Sequence, residues 1–145
     1  QQDTAIARVL YFFEKHWEEL LKFSRRTQHQ LDQWASRYGY KEQPMEILDH
    51  AKKGYHGGRY TCVNLTNQDT IEFRMFRGTL KFNTLIATLQ LVDRICNVAI
   101  YLSDDELKAL SWTSFASGCQ APELVRYLKE RRLYVNEPVM AEVEV

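Results

Sequence analysis

Two side chains of opposite charge, Glu72 and Arg74, stand two residues apart in the run Thr70-Ile71-Glu72-Phe73-Arg74, and Arg77-Gly78-Thr79 follows shortly after. On an extended strand, residues i and i+2 share a face. A carboxylate and a guanidinium on one sheet face are costly to bury without partners, and a ligand can supply those partners. A carboxylate is a hard oxygen ligand suited to Mg2+. A guanidinium offers a planar fork of donors to a phosphate or a carboxylate. Arg77 adds a second cation past the strand end, and Gly78 lets backbone approach a ligand closely. The plain alternative is a solvated face whose charges pair with the neighbouring strand. Spacing this short does not decide between the two.

Other candidates are weaker. Arg25 and Arg26, beside Lys22, form a basic knot that could hold phosphate. The same residues would also complement a helix C-terminus, which their position favours. His16, His29, His50 and His56 have no metal-ligand spacing, and Cys62, Cys96 and Cys119 form no C-x-x-C pair. Gly57-Gly58-Arg59 is no phosphate-cradling P-loop, because no Lys-Ser/Thr follows. Trp17, Trp34 and Trp112 fit helix faces and read as core; Cys62 and Cys96 read as inert buried thiols.

The elements that must position these groups follow from periodicity. Ile6, Val9, Leu10, Phe13, Trp17, Leu20 and Leu21 recur at helical spacing and predict one amphipathic helix over residues 5–22. A second helix is expected over 27–38, with Gly39 as its stop, and a third over 44–53, opened by Pro44 and closed by Gly54. Residues 59–65 and 70–76 are rich in β-branched and aromatic side chains, with turn chemistry at Asn67-Gln68-Asp69, so an antiparallel hairpin is expected. In its second strand Ile71, Phe73 and Met75 would share one face, and Thr70, Glu72, Arg74 and Phe76 the other. A long helix over 83–102 is apolar nearly all round and should be buried on several sides. Ser103-Asp104-Asp105-Glu106 is a capping box for a helix through about Leu110, and a last helix spans about 121–133. The tail after Asn136 is short and acidic.

The chain has 145 residues, 19 basic and 19 acidic, which fits one α+β domain and argues against a dedicated nucleic-acid module. The most apolar stretch, 85–102, carries Asp93 and Arg94 in its middle, so no membrane span is expected. Unpaired cysteines point to a reducing, cytoplasmic setting. A two-stranded hairpin among about six helices is a poor stand-alone sheet. The layout therefore implies either a helical shell over one hairpin or a missing part of the sheet. An exposed sheet edge would invite pairing between copies, hence a homo-oligomer. The chain opens on Gln1 rather than Met, as expected of a processed chain or one cut from a longer protein.

The run GGRYTCVNLTNQDTIEFRMFRGTLKFNTLIATLQLVDRI resembles the C-terminal half of the amidoligase family, in the carboxylate–amine ligase superfamily of glutamate–cysteine ligase and, more distantly, glutamine synthetase. Arg59-Tyr60, Val63-Asn64-Leu65, Thr70 to Arg74, and Phe76 to Leu80 carry the likeness, and EKHWEELLKFSRR upstream is similar to phage- and Firmicute-type members. The resemblance implies a glutamine synthetase-like catalytic fold and an ATP- and Mg2+-dependent ligase. In such enzymes ATP phosphorylates a substrate carboxylate, and an amine of a small-molecule or peptide substrate attacks the acyl phosphate. On that mapping Glu72 is a metal ligand, Arg74 and Arg77 act on the phosphoryl group or substrate carboxylate, and Arg59 and Asn64 line the site. The family's paired-carboxylate strand is absent from this chain. The chain is therefore expected to be the C-terminal half, its partner the missing N-terminal half, and to be inactive alone. A non-catalytic helix-rich module that kept the fold and lost the site is the competing reading. Nucleic-acid binding through Lys22, Arg25, Arg26 and Arg37 is a third, which the neutral charge opposes.

Overall fold

In the computed structural model, residues 2–30, 39–53, 63–64, 72–73, 75–76 and 81–134 are described. The architecture is helix-rich: α1 (Gln2–Lys15), α2 (Trp17–Ser24), α3 (Pro44–Lys53), α4 (Phe82–Tyr101), α5 (Asp104–Ala109), α6 (Trp112–Ser117) and α7 (Pro122–Glu130). Two short strands, β1 (Val63–Asn64) and β2 (Glu72–Phe73), pair antiparallel, with Val63 opposite Phe73 and Asn64 opposite Glu72. The remainder of the expected hairpin, its turn included, lies outside the described residues.

The core is built around α1. Its Ala7, Leu10, Tyr11, Phe12 and Phe13 are almost fully buried, and α1 packs against α3, α4 and α5. Ile47 and Leu48 of α3 close one side; Ala87, Leu91 and Ile95 of α4 close another. The strand pair and the bend after it reach the same core: Val63 and Met75 are buried, and the Phe73 ring lies 5.6 Å from Phe13.

The expected single helix over 5–22 is two helices. His16 leaves helical geometry (φ −108°, ψ 31°), although His16 N–H still donates to the Phe12 carbonyl and the Leu20 N–H to His16. The ladder is thus perturbed at one residue, where the buried His16 ring packs against Phe12 and Trp112. Helical periodicity alone cannot register a break that keeps both flanking faces apolar.

Phe76 is a second correction. Alternation would set it on the face of Glu72, away from Phe73, yet its ring lies 6.1 Å from Phe13 and 5.8 Å from Phe23. The chain bends at residues 75–76, so pleat alternation ends there and Met75 and Phe76 both reach the core.

The long helix differs too. α4 buries Ala87, Leu91, Ile95, Val98 and Ala99 against α1 and α7, but Phe82, Leu85, Leu89 and Ile100 are exposed. It is buried on one side rather than several. It is the one described helix long and apolar enough to cross a membrane, by length and composition alone, with 28% of its most apolar window buried.

Local signals set the remaining ends. The Ser103 hydroxyl accepts from Glu106 N–H at 3.1 Å while the Glu106 carboxylate accepts from Ser103 N–H at 2.9 Å. These bonds hold the Glu106 carboxyl below its usual pKa. Ser103→Ala is expected to lower stability by about 1 kcal/mol, read as a shift in the urea midpoint at unchanged slope. Thr27 and Gln30 make the same reciprocal bonds at the start of the helical turn 28–30. Gly39 has φ +95°, a conformation that glycine adopts without Cβ strain.

α7 stops at Glu130, three residues before the expected end. Arg132 enters the left-handed region (φ 58°), its N–H reaching Lys129 and the Leu133 N–H reaching Leu128. That is a Schellman stop with Arg where glycine is usual, and the burial of Leu133 accompanies it. The sequence reading missed α6 altogether. Its signal is Ser111, whose hydroxyl caps the Ser114 N–H at 3.0 Å.

Candidate functional site

Of the residues singled out for chemistry, Arg59, Arg74 and Arg77 lie outside the described residues, as do the side chains of Asn64 and Glu72. What the structure places is the backbone register that brings Asn64 opposite Glu72.

Immediately after that segment the chain enters α4, and a cleft opens at the helix start. A cavity of about 490 Å³ is lined by Arg25, Lys81, Asn83, Thr84, Tyr127 and Arg131, with Phe82 and Glu130 at its sides. Among the described lining residues three are cations and one, Glu130, is a carboxylate. The cations come from three places: Arg25 ends α2, Lys81 is the N-cap of α4, and Arg131 ends α7. Lys81 makes no side-chain capping bond, and the first turn of α4 holds no acidic residue. The N-cap and first turn of this 20-residue helix, Lys81 to Thr84, line the cavity, so the partial positive charge of the helix start lies at it.

Each wall has a local cause. Arg25 adopts φ 62° with its N–H on the Lys22 carbonyl, which closes α2 and turns the chain. Arg131 donates from both Nε and a terminal nitrogen to the same Lys22 carbonyl, at 3.2 and 3.0 Å, across 109 positions of sequence. The Tyr127 hydroxyl donates to the Phe23 carbonyl at 3.0 Å. Burial pushes that hydroxyl's pKa up, against the pull of Arg131 and Arg25. α7 is in turn held on α4 by Gln90, which accepts from Leu124 N–H and donates to Glu123, both at 2.9 Å. The floor of the cleft is thus fixed by hydrogen bonds between α2, α4 and α7.

Arg26 parts company with Arg25. It lines a second cavity of about 650 Å³ with Glu18, Glu19, Lys22, Trp112, Thr113 and Arg132, where, among the described residues, two carboxylates stand with three cations. The expected basic knot is therefore split, one member in each cavity.

The other expectations resolve as follows. Trp17 and Trp112 are core, and Trp34 lies outside the described residues. Cys119 is buried and Cys96 half-buried; burial raises both thiol pKa values, leaving them poor nucleophiles. Cys62 lies outside the described residues. Among the described residues no three His, Cys, Asp or Glu side chains converge on a cation site.

Sequence reasoning missed Lys81 and Arg131 as site residues. A trace was present for Lys81, a base directly before a long helix whose first turn lacks acids. None was present for Arg131, whose place depends on how α7 packs.

Set against known proteins, the chain matches no family model, no curated protein and no solved structure.

Proposed function

We propose that the chain is the phosphate-handling part of an ATP-dependent carboxylate–amine ligase of amidoligase type, with a glutamine synthetase-like fold whose hairpin carries the chemistry, working in the cytoplasm. The observation that carries the reading is the cationic cleft of Arg25, Lys81 and Arg131 at the N-terminus of α4, directly downstream of the segment that resembles the family. Phosphoryl transfer is mostly positioning and charge neutralisation. A cavity with these three cations at a helix N-terminus suits the oxygens of a nucleotide phosphate chain. In this reading Glu72 holds Mg2+, Arg74 and Arg77 meet the transferred group, and Arg59 and Asn64 line the acyl side. The described residues offer no further carboxylate cluster for the metal, so no metal-dependent step is assigned to them.

The test is calorimetric titration of the chain with Mg2+ and a non-hydrolysable ATP analogue. Binding is expected, weakened roughly tenfold by Arg25→Ala, which removes a charge-assisted contact of about 1.5 kcal/mol, and comparably by Arg74→Ala. Loss in Glu72→Ala should depend on Mg2+, whereas loss in Arg25→Ala should not. Absence of nucleotide binding would sink the proposal and leave the non-catalytic helix-rich module.

A further inference from the structure

The cleft at the start of α4 holds one group that phosphate does not call for. Phe82, the first residue of the helix, lines the cavity, yet it is 71% exposed. An aromatic ring left in water forgoes one of the largest burial gains open to a side chain. The other ring in the wall behaves differently. Tyr127 is buried, meets the Phe23 ring edge-on at 4.7 Å and donates its hydroxyl to the Phe23 carbonyl, so it belongs to the core.

An exposed ring beside cations suits one kind of ligand. Nucleobases stack on aromatic side chains while their phosphates seek basic groups. An inorganic phosphate chain would gain nothing from the ring. Sites for ligands of drug size run from about 300 to 1,000 Å³. The cavity, at about 490 Å³, has the volume for a whole nucleotide. A side pocket of about 90 Å³ shares Asn83, Thr84, Tyr127 and Glu130 with it. An amide, a hydroxyl and a carboxylate there are hydrogen-bond partners for sugar hydroxyls. Leu85 and Leu89, also exposed on α4, do not line the cavity, so Phe82 is set apart from them by its place at the cations.

We propose that Phe82 is the platform on which the base of a bound nucleoside triphosphate stacks, with the phosphate chain on Arg25, Lys81 and Arg131. The inference rests on the nucleotide reading of the cleft and adds the residue that engages the base.

Calorimetric titration of the full chain with the non-hydrolysable ATP analogue and, separately, with inorganic tripolyphosphate, both with Mg2+, tests it. Phe82→Ala is expected to weaken the analogue roughly tenfold and to leave tripolyphosphate unchanged. Arg25→Ala should weaken both. Phe82→Trp should retain the analogue's affinity, and the indole emission it adds should be quenched by the analogue and not by tripolyphosphate. Phe82 is exposed at a helix end, so unchanged helix content by circular dichroism verifies that its variants fold. A Phe82→Ala variant that weakens both ligands alike, or neither, would overturn the platform and leave the phosphate reading standing. So would a variant that alters only the sedimentation of the chain, which would make the ring a contact between proteins. Failure of both ligands to bind the unaltered chain would overturn the phosphate reading, and the platform with it.

Discussion

Phe12→Ala is expected to lower the unfolding free energy by about 3–5 kcal/mol, the cost of a large cavity in a packed core. Phe12 is fully buried in α1, and its ring lies 4.6 Å from Phe115, 4.5 Å from His16 and 6.4 Å from Trp112. No neighbour can collapse into the space. α1 and α6 approach from opposite sides, Trp112 Nε1–H is pinned to the Leu133 carbonyl at 2.8 Å, and Arg94 caps Phe115 at 5.5 Å from the ring centre. A domain of this size has roughly 5–15 kcal/mol in total, so the variant should sit close to its unfolding midpoint at room temperature. Urea denaturation followed by circular dichroism reads this directly. A loss below about 1 kcal/mol would mean that α6 does not pack on α1 as described.

The second large effect is acid lability centred on His16. Its ring is 4% exposed, Nε2 has no hydrogen-bond partner, and burial first and Lys15 second lower its pKa from 6.5 to about 4. The Lys15 ammonium itself is held over α5, donating to the carbonyls of Leu107 and Lys108. Above about pH 6.5 His16 is neutral folded and unfolded, and contributes no pH dependence. Between 6.5 and about 4 the unfolded chain takes up a proton that the folded chain refuses, so stability falls as pH falls. The full loss below that window is roughly 3 kcal/mol. His16→Leu is close in volume and leaves no donor unpaired, so it should cost under about 1.5 kcal/mol at pH 8. It should also abolish most of the decline between pH 6.5 and 4.5. A variant whose stability still falls with the wild-type slope would remove His16 as the cause. Glu106 and Glu123, whose carboxyls are held below the usual range by Ser103 and by Gln90, add their own loss only at lower pH.

The two sites meet physically. His16 and Phe12 stack on each other and on Trp112 of α6, so the residue that breaks the first helix also packs against the C-terminal helices. The bonds from Tyr127 and Arg131 of the C-terminal helix to Phe23 and Lys22 set Arg131 beside Arg25 at the cleft.

Local chemistry in the sequence was enough for several features. Ser103 and Glu106 announced their helix start, Pro44 opens α3, and the long apolar stretch became α4, while the end of the helix expected before Gly39 lies outside the described residues. These depend on interactions within four residues, which sequence spacing reports. Tertiary structure alone decided the rest. The break at His16, the inward turn of Phe76, and the one-sided burial of α4 follow from which partner surface each residue meets. The separation of Arg25 from Arg26, and the joining of Arg25 with Lys81 and Arg131, depend on contacts between residues on the order of a hundred positions apart. No local pattern encodes those distances. Long-range packing sets them, because burying the apolar faces of α1, α4 and α7 together outweighs any one residue's local preference.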